Sequence, residues 1–187
     1  YQGFPSSICT AVNEEIVHSI PGNRILSEGD IISIDAGVTY KGMITDSAIT
    51  VRVGKVGKDV EKFAKACEEA LSKGLNSIKP GIHLIEVSGT IQDIVENAGY
   101  SIVKDLIGHG VGKQLHEDPE IPNFRTKHKG PILEKGMTFA IEPIIAMGKG
   151  DMETLQDNWT IVTKDRSLAA QAEHTIVVTN SGYEILT

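Results

Sequence analysis

Five side chains spread along this sequence could together hold metal: Asp35, Asp46, His109, Glu142 and Glu173. Four ionised carboxylates offset the charge of two divalent cations and leave room for one bridging hydroxide. Oxygen-rich ligation with a single imidazole favours Mn, Fe(II), Co or Zn over soft-metal sites, without choosing among them. His109 lies in Gly108-His109-Gly110-Val111-Gly112, where flanking glycines let the backbone approach something closely. His116 follows seven residues later and reads as a substrate-facing partner to that ligand. With His18 it supplies neutral groups able to bond a substrate amide or a developing oxyanion. For each of the two, a satisfied structural histidine is the competing reading.

These residues need strands to carry them. Ile31-Ile32-Ser33-Ile34-Asp35-Ala36-Gly37-Val38 and Gly42 through Val51 read as buried-type strands, and residues 4–20 read as a strand running into a turn at Pro21-Gly22-Asn23. A hairpin turning at Tyr40-Lys41 would set Asp35 directly opposite Asp46, with Cβ atoms ~5 Å apart, a destabilising pair unless a cation sits between them. A register slip that turns one of them to solvent is the alternative. From Asp59 the period changes. Val60, Phe63, Ala64, Cys67, Leu71, Leu75 and Ile78 recur at helical spacing before Pro80-Gly81. Leu84, Val87, Ile91, Ile94, Val95 and Ala98 form a second amphipathic helix, with His83 at its start and Gly99 at its C-cap. Residues 137–142 and 173–179 return to strand character. The order of strands, two helices and strands predicts an α+β fold. His128, between lysines, is solvated, and His174 points away from Glu173 on its strand.

The strand regions resemble each other. Leu26-Ser27-Glu28-Gly29-Asp30-Ile31-Ile32-Ser33-Ile34-Asp35 aligns with Leu133-Glu134-Lys135-Gly136-Met137-Thr138-Phe139-Ala140-Ile141-Glu142, and His18-Ser19-Ile20-Pro21 echoes His116-Glu117-Asp118-Pro119. An internal duplication would give half-repeats of about residues 1–54 and 55–187 within one catalytic domain. Its pseudo-twofold axis would face Asp35 and Asp46 toward Glu142 and Glu173. By the same symmetry about 40 residues of a first-half helical layer are missing, leaving one sheet face uncovered as an interaction or aggregation site.

The bulk numbers narrow the classes. The 187 residues suffice for one substantial domain. A net charge of −7 argues against a nucleic-acid surface, and no apolar run is long enough to span a membrane. Cys9 and Cys67 are the only cysteines, too few for a disulfide framework, which fits the cytoplasm.

The segments Gly3-Phe4-Pro5-Ser6-Ser7-Ile8-Cys9-Thr10, Val12-Asn13-Glu14, His18-Ser19-Ile20-Pro21, Ile34-Asp35, Thr45-Asp46, Gly108-His109-Gly110-Val111-Gly112, His116-Glu117-Asp118-Pro119, Ile141-Glu142-Pro143, Trp159-Thr160-Ile161-Val162-Thr163-Lys164-Asp165 and Ala170-Gln171-Ala172-Glu173-His174-Thr175 resemble the type I methionine aminopeptidases. The likeness runs the length of the chain and implies the pita-bread fold shared with aminopeptidase P and prolidase. It implies that Asp35 binds one metal, Asp46 and Glu173 bridge two, and His109 and Glu142 complete the second. Glu142 would also handle the proton, His116 stabilise the tetrahedral intermediate and His18 contact the scissile nitrogen. Tyr1, Phe4, Cys9, Leu115 and Trp159 would line a methionine pocket, suited to a flexible thioether. Nascent polypeptide N-termini with a small second residue are the implied substrates, the ribosome a further candidate partner, and a monomer the expected state unless the missing layer allows association. The sequence departs from the family at Ser19, usually glycine, at Leu115, often phenylalanine, and in lacking the N-terminal helical segment. An Xaa-Pro peptidase of the same fold, and a non-catalytic module binding peptide or ribosome, are the competing readings.

Overall fold

The computed structural model describes residues 2–187. The stretch expected to be one strand before the first turn is two, β1 (Cys9–Val12) and β2 (Glu15–Val17). Asn13 breaks it with a φ of 58°. Its carboxamide accepts from the Ile31 backbone N–H at 3.1 Å and donates to Asp30 at 2.9 Å, tying the turn to the next strand.

β3 (Ile31–Tyr40) and β4 (Met43–Arg52) pair along their full lengths. The loop between them is Lys41-Gly42, with φ of 50° and 79°, the left-handed pair that a two-residue turn in a right-twisted ribbon requires. The turn therefore lies one residue beyond Tyr40-Lys41. Asp35 opposes Ala48 and Gly37 opposes Asp46, so the direct opposition of the two acids is corrected to a diagonal one. A shift of two residues preserves the face, because side chains alternate with period two. Both carboxylates point to the same side.

α1 (Lys58–Ser77) and α2 (Leu84–Asn97) follow the helical period of the sequence. Phe63, Cys67, Leu71 and Leu75 from α1 and Leu84, Val87, Ile91 and Val95 from α2 are buried in one core. Asp59 and Glu61 occupy the first turn of α1, where they complement the helix dipole. His83 is the N-cap of α2, its backbone N–H donating to Glu86 Oε1 at 3.1 Å. The helix stops ahead of Gly99, whose φ of 85° reverses the chain.

The remaining strands are β5 (Ser101–Ile102), β6 (Gly108–Gly110), β7 (Glu117–Ile121), β8 (Thr138–Ile141), β9 (Ile144–Ala146), β10 (Met152–Thr154), β11 (Ile161–Thr163), β12 (Ala169–Gln171), β13 (Glu173–Val178) and β14 (Tyr183–Ile185). The main sheet runs β1-β3-β4-β13-β8-β6-β7, with β14 also on β13. Two small sheets, β10-β11-β2 and β12-β9-β5, flank it. This is the mixed α+β arrangement the sequence predicts.

The halves of the sheet meet where β4 pairs with β13, through only Ala48 with Glu173 and Ser47 with His174. On either side the ladder is completed by hydroxyls. Thr175 Oγ1 accepts from the Asp46 N–H at 2.8 Å and donates to the Asp46 carbonyl at 2.8 Å. Thr50 Oγ1 accepts from the Gln171 N–H at 3.0 Å and donates to the Gln171 carbonyl at 2.7 Å. The two arrangements are related by a local dyad through the Ala48–Glu173 pair, as the antiparallel pairing of β4 and β13 allows.

On the outer face of the second half, Phe139, Ile141, Ile176 and Val178 pack into the core with α1 and α2. On the outer face of the first half, Ile34 opposes Ile49 and Ile32 opposes Val51, and Ile49 and Val51 are exposed. Among the described residues both helices pack mainly over the second half, α1 reaching the first at Ile31 and through the pairing of Arg52 with Glu61 and Glu68, and the outer face at Ile49 and Val51 is open as expected.

Candidate metal centre and substrate cleft

Register alone places the acidic groups. Cys9 opposes Asp35, Asp35 opposes Ala48 and Ala48 opposes Glu173, so these share the inner face, with Asp46 two residues along. Thr175 opposes Ala140 and Ala140 opposes His109, which brings the histidine to the same face. Glu142 follows the end of β8. Asp35, Asp46, His109, Glu142 and Glu173 thereby line one cavity of about 120 Å³ beneath a larger cleft.

His109 is held by its neighbours. A Cβ at Gly108 would lie 2.4 Å from the Ala140 carbonyl oxygen, and one at Gly110 would lie 2.2 Å from that of Asp118. The glycines are what allow β6 to press between β7 and β8. The His109 Nδ1 is 2.9 Å from the Gly110 carbonyl. A carbonyl cannot donate, so Nδ1 carries the proton and Nε2 presents a lone pair. That lone pair faces Glu142 Oε1 at 3.6 Å and Asp46 Oδ2 at 4.0 Å. Facing two carboxyl oxygens, that acceptor is placed to share a cation with them. Glu173 Oε1 is likewise buried without a hydrogen-bond partner. Ligand atoms of Asp46, His109 and Glu173 all lie within 4.8 Å of one another. The donor set fits a divalent metal.

The electrostatics agree. Burial first, then the charge of Asp46 and a hydrogen bond shared with it, pushes Asp35 up to about 7, while a bond from Gln171 works the other way. Burial and the neighbouring carboxylates raise Glu142 and Glu173 well above the usual range. Partial desolvation in the cleft lowers His18 and His116, so both imidazoles are neutral near pH 7. The rings of His116 and His109 meet edge to face with centroids 4.3 Å apart.

Above the centre lies a cleft of about 530 Å³ whose lining includes Phe4, Cys9, His18, Leu115, His116 and Trp159. Phe4 and Trp159 meet edge to face, centroids 5.2 Å apart at 83°. Asp157 fixes the Trp159 loop, accepting from the backbone N–H groups of Trp159 and Thr160 at 3.0 and 2.9 Å and from the Thr160 hydroxyl at 2.6 Å. Burial, with the charges of Asp35 and Asp46, pushes the Cys9 thiol up to about 12, making it a neutral wall group and not a nucleophile. Leu115 stands over Gly37 beside Asp46. Tyr1, also expected in this pocket, lies outside the described residues. The other residues singled out in the sequence line the cleft or the cavity below it. His174 faces away and bonds Thr187 Oγ1 at 3.0 Å.

Sequence reasoning missed Gln171, which lines the metal cavity, and Thr154, Asn158 and Ile161, which line the cleft. Strand alternation from Glu173 was a usable signal for Gln171. The cleft residues carry none, because Asn158 lies in a loop without a period and Thr154 and Ile161 lie in three-residue strands too short to show alternation.

A buried carboxylate–imidazole centre at the foot of an apolar cleft defines a metal-dependent hydrolase. The profile of metallopeptidase family M24 matches residues 1–180. Methionine aminopeptidase 1 of Bacillus subtilis is 50% identical over 187 residues, covering 100% of this chain and 75% of that protein. The crystal structure of methionine aminopeptidase from Thermotoga maritima superposes with a TM-score of 0.98 at 45% identity, covering 100% of this chain and 76% of that one. The prolidase of Pyrococcus horikoshii, at 24% identity and a TM-score of 0.77 over 97% of this chain and 47% of its own, shares the fold. The chain belongs to metallopeptidase family M24. No helix among the described residues is long and apolar enough to cross a membrane.

Proposed function

We propose that this protein removes the N-terminal methionine from nascent proteins and peptides whose second residue is small. The observation that carries the reading is the juxtaposition of the His109 lone pair and the orphaned Glu173 oxygen with a cleft walled by Phe4, Cys9 and Trp159. In this reading Asp35, Asp46, His109, Glu142 and Glu173 would hold a pair of divalent cations. When bound, such a pair supplies a water of lowered pKa and stabilises charge on the attacked carbonyl. The halves of residues 1–54 and 55–187 act as one catalytic unit.

The chain's own groups do the rest. The aromatic and thiol walls bury the methionine side chain, a soft group suited to polarisable surroundings, and exclude water around it. Glu142 takes the proton of the attacking water on a carboxylate oxygen and returns it to the departing amine. Neutral His116 donates to the carbonyl oxygen as its charge develops, and His18 contacts the scissile nitrogen. The methionine-side wall favours this substrate over an Xaa-Pro peptide. The test is free methionine released from a Met-Ala-Ser peptide after chelation and on adding Mn or Co back. Metal-dependent release is expected; release insensitive to chelation overturns the reading.

A further inference from the structure

Gln171 is an uncharged side chain set among carboxyls. It ends β12, is 2% exposed, and its amide nitrogen lies 3.4 Å from Glu142 Oε2 and 3.5 Å from Glu173 Oε2. Its backbone cannot drift, because Thr50 Oγ1 takes both its N–H and its carbonyl. The atoms it leaves alone are as informative as those it touches. Glu142 Oε1 faces His109 Nε2, and Glu173 Oε1 has no partner.

We propose that Gln171 is the positioning residue of the metal centre: its carboxamide takes one oxygen of Glu142 and one of Glu173, and so fixes which oxygen each glutamate presents to a cation. This rests on the ligand assignment above. The residue type follows from the task. A lysine or arginine here would set a positive charge against the cations, and a carboxylate would add another acceptor where donors are needed. A primary amide provides two N–H donors without net charge. The role is separate from catalysis, since Gln171 need touch neither substrate nor the attacking water.

The experiment compares the chelated wild-type protein with Gln171→Met, of similar length but without donors, and Gln171→Asn, which keeps the amide one methylene short. Mn binding is followed by calorimetry and Co binding by visible absorption. Folded Gln171→Met should bind metal about 10–100-fold more weakly, the range for loss of a group supporting a ligand. Its Co absorption should change in intensity, and kcat at saturating metal should fall with little change in KM. Gln171→Asn should recover part of the affinity. Wild-type affinity and an unchanged Co spectrum in Gln171→Met overturn the proposal while leaving the ligand assignment intact. Failure of the wild type to bind any divalent metal overturns the ligand assignment itself. Should the methionine variant not fold, ¹⁵N-glutamine-labelled wild type decides. The carboxamide resonance of Gln171 must shift on adding Zn, and an unmoved resonance rejects the role.

Discussion

The outer face of the main sheet is built in two ways. Over the second half, Phe139 and Val178 are each 1% exposed beneath α1 and α2. Over the first half, Ile49 is 55% and Val51 38% exposed. The inner face shows no such division, because each half contributes buried acids to the same cavity. Covering one side of the sheet and equipping the other are therefore separable tasks. Laterally, Asp46 is held by the Thr175 hydroxyl of β13, and β4 is tied to Gln171 of β12 through the Thr50 hydroxyl.

If the two halves are equal partners on the inner face, Asp46→Asn and Glu173→Gln should be equally damaging. Each should lower methionine release by more than about 100-fold and reduce bound metal on calorimetric titration, since removing a ligand exceeds removing its support. A variant that retains both activity and metal would show that its half contributes no ligand. Next in size, His116→Ala should lower kcat about 10²–10³-fold with metal content unchanged, as for loss of one oxyanion donor. Metal falling in step with activity would move His116 into the ligand set.

The outer face should show the opposite asymmetry. Phe139→Ala should cost about 3–5 kcal/mol in chemical denaturation, the range for a large buried side chain. Ile49→Thr should fall within about 0.5 kcal/mol of the parent, as at an exposed site. Equal losses would mean that the first-half face is covered in solution.

The smallest effect concerns pH. Without metal, folded Asp35 titrates at about 7, so the native state keeps a proton that the unfolded chain has already released. That stabilisation is complete at low pH and is lost as pH rises through the folded value. Glu142 and Glu173 act in the same sense. The lowered histidines act in the opposite sense, but only below the ordinary histidine value. The Tm of chelated protein should therefore fall between about pH 6.5 and about pH 8, and the slope should flatten in Asp35→Asn. A Tm that rises with pH over that range contradicts the assignment.

Much of this was legible in the sequence, for identifiable reasons. The helices were, because a twenty-residue amphipathic run such as α1 has one strong period. The inner-face acids were, because a carboxylate closing an apolar strand must be neutralised. The register of the first hairpin was misplaced by two residues because the left-handed turn at Lys41-Gly42 was read one position early; Gly42 was the available signal. The β12-β9-β5 sheet went unread, since strands of two or three residues have too little alternation to detect. The Phe4–Trp159 contact joins distant parts of the chain, and only family resemblance pointed to it.

The seam between the halves has a further consequence for motion. Asp46 and Gln171 have main-chain groups caught across the seam by threonine hydroxyls, and they sit at opposite ends of a two-pair ladder. Opening that ladder would carry Asp46 away from Glu173 and Gln171 in one movement. A cation shared between Asp46 and Glu173 would act as a clasp across the same line, so that filling the centre and stiffening the whole molecule become a single event.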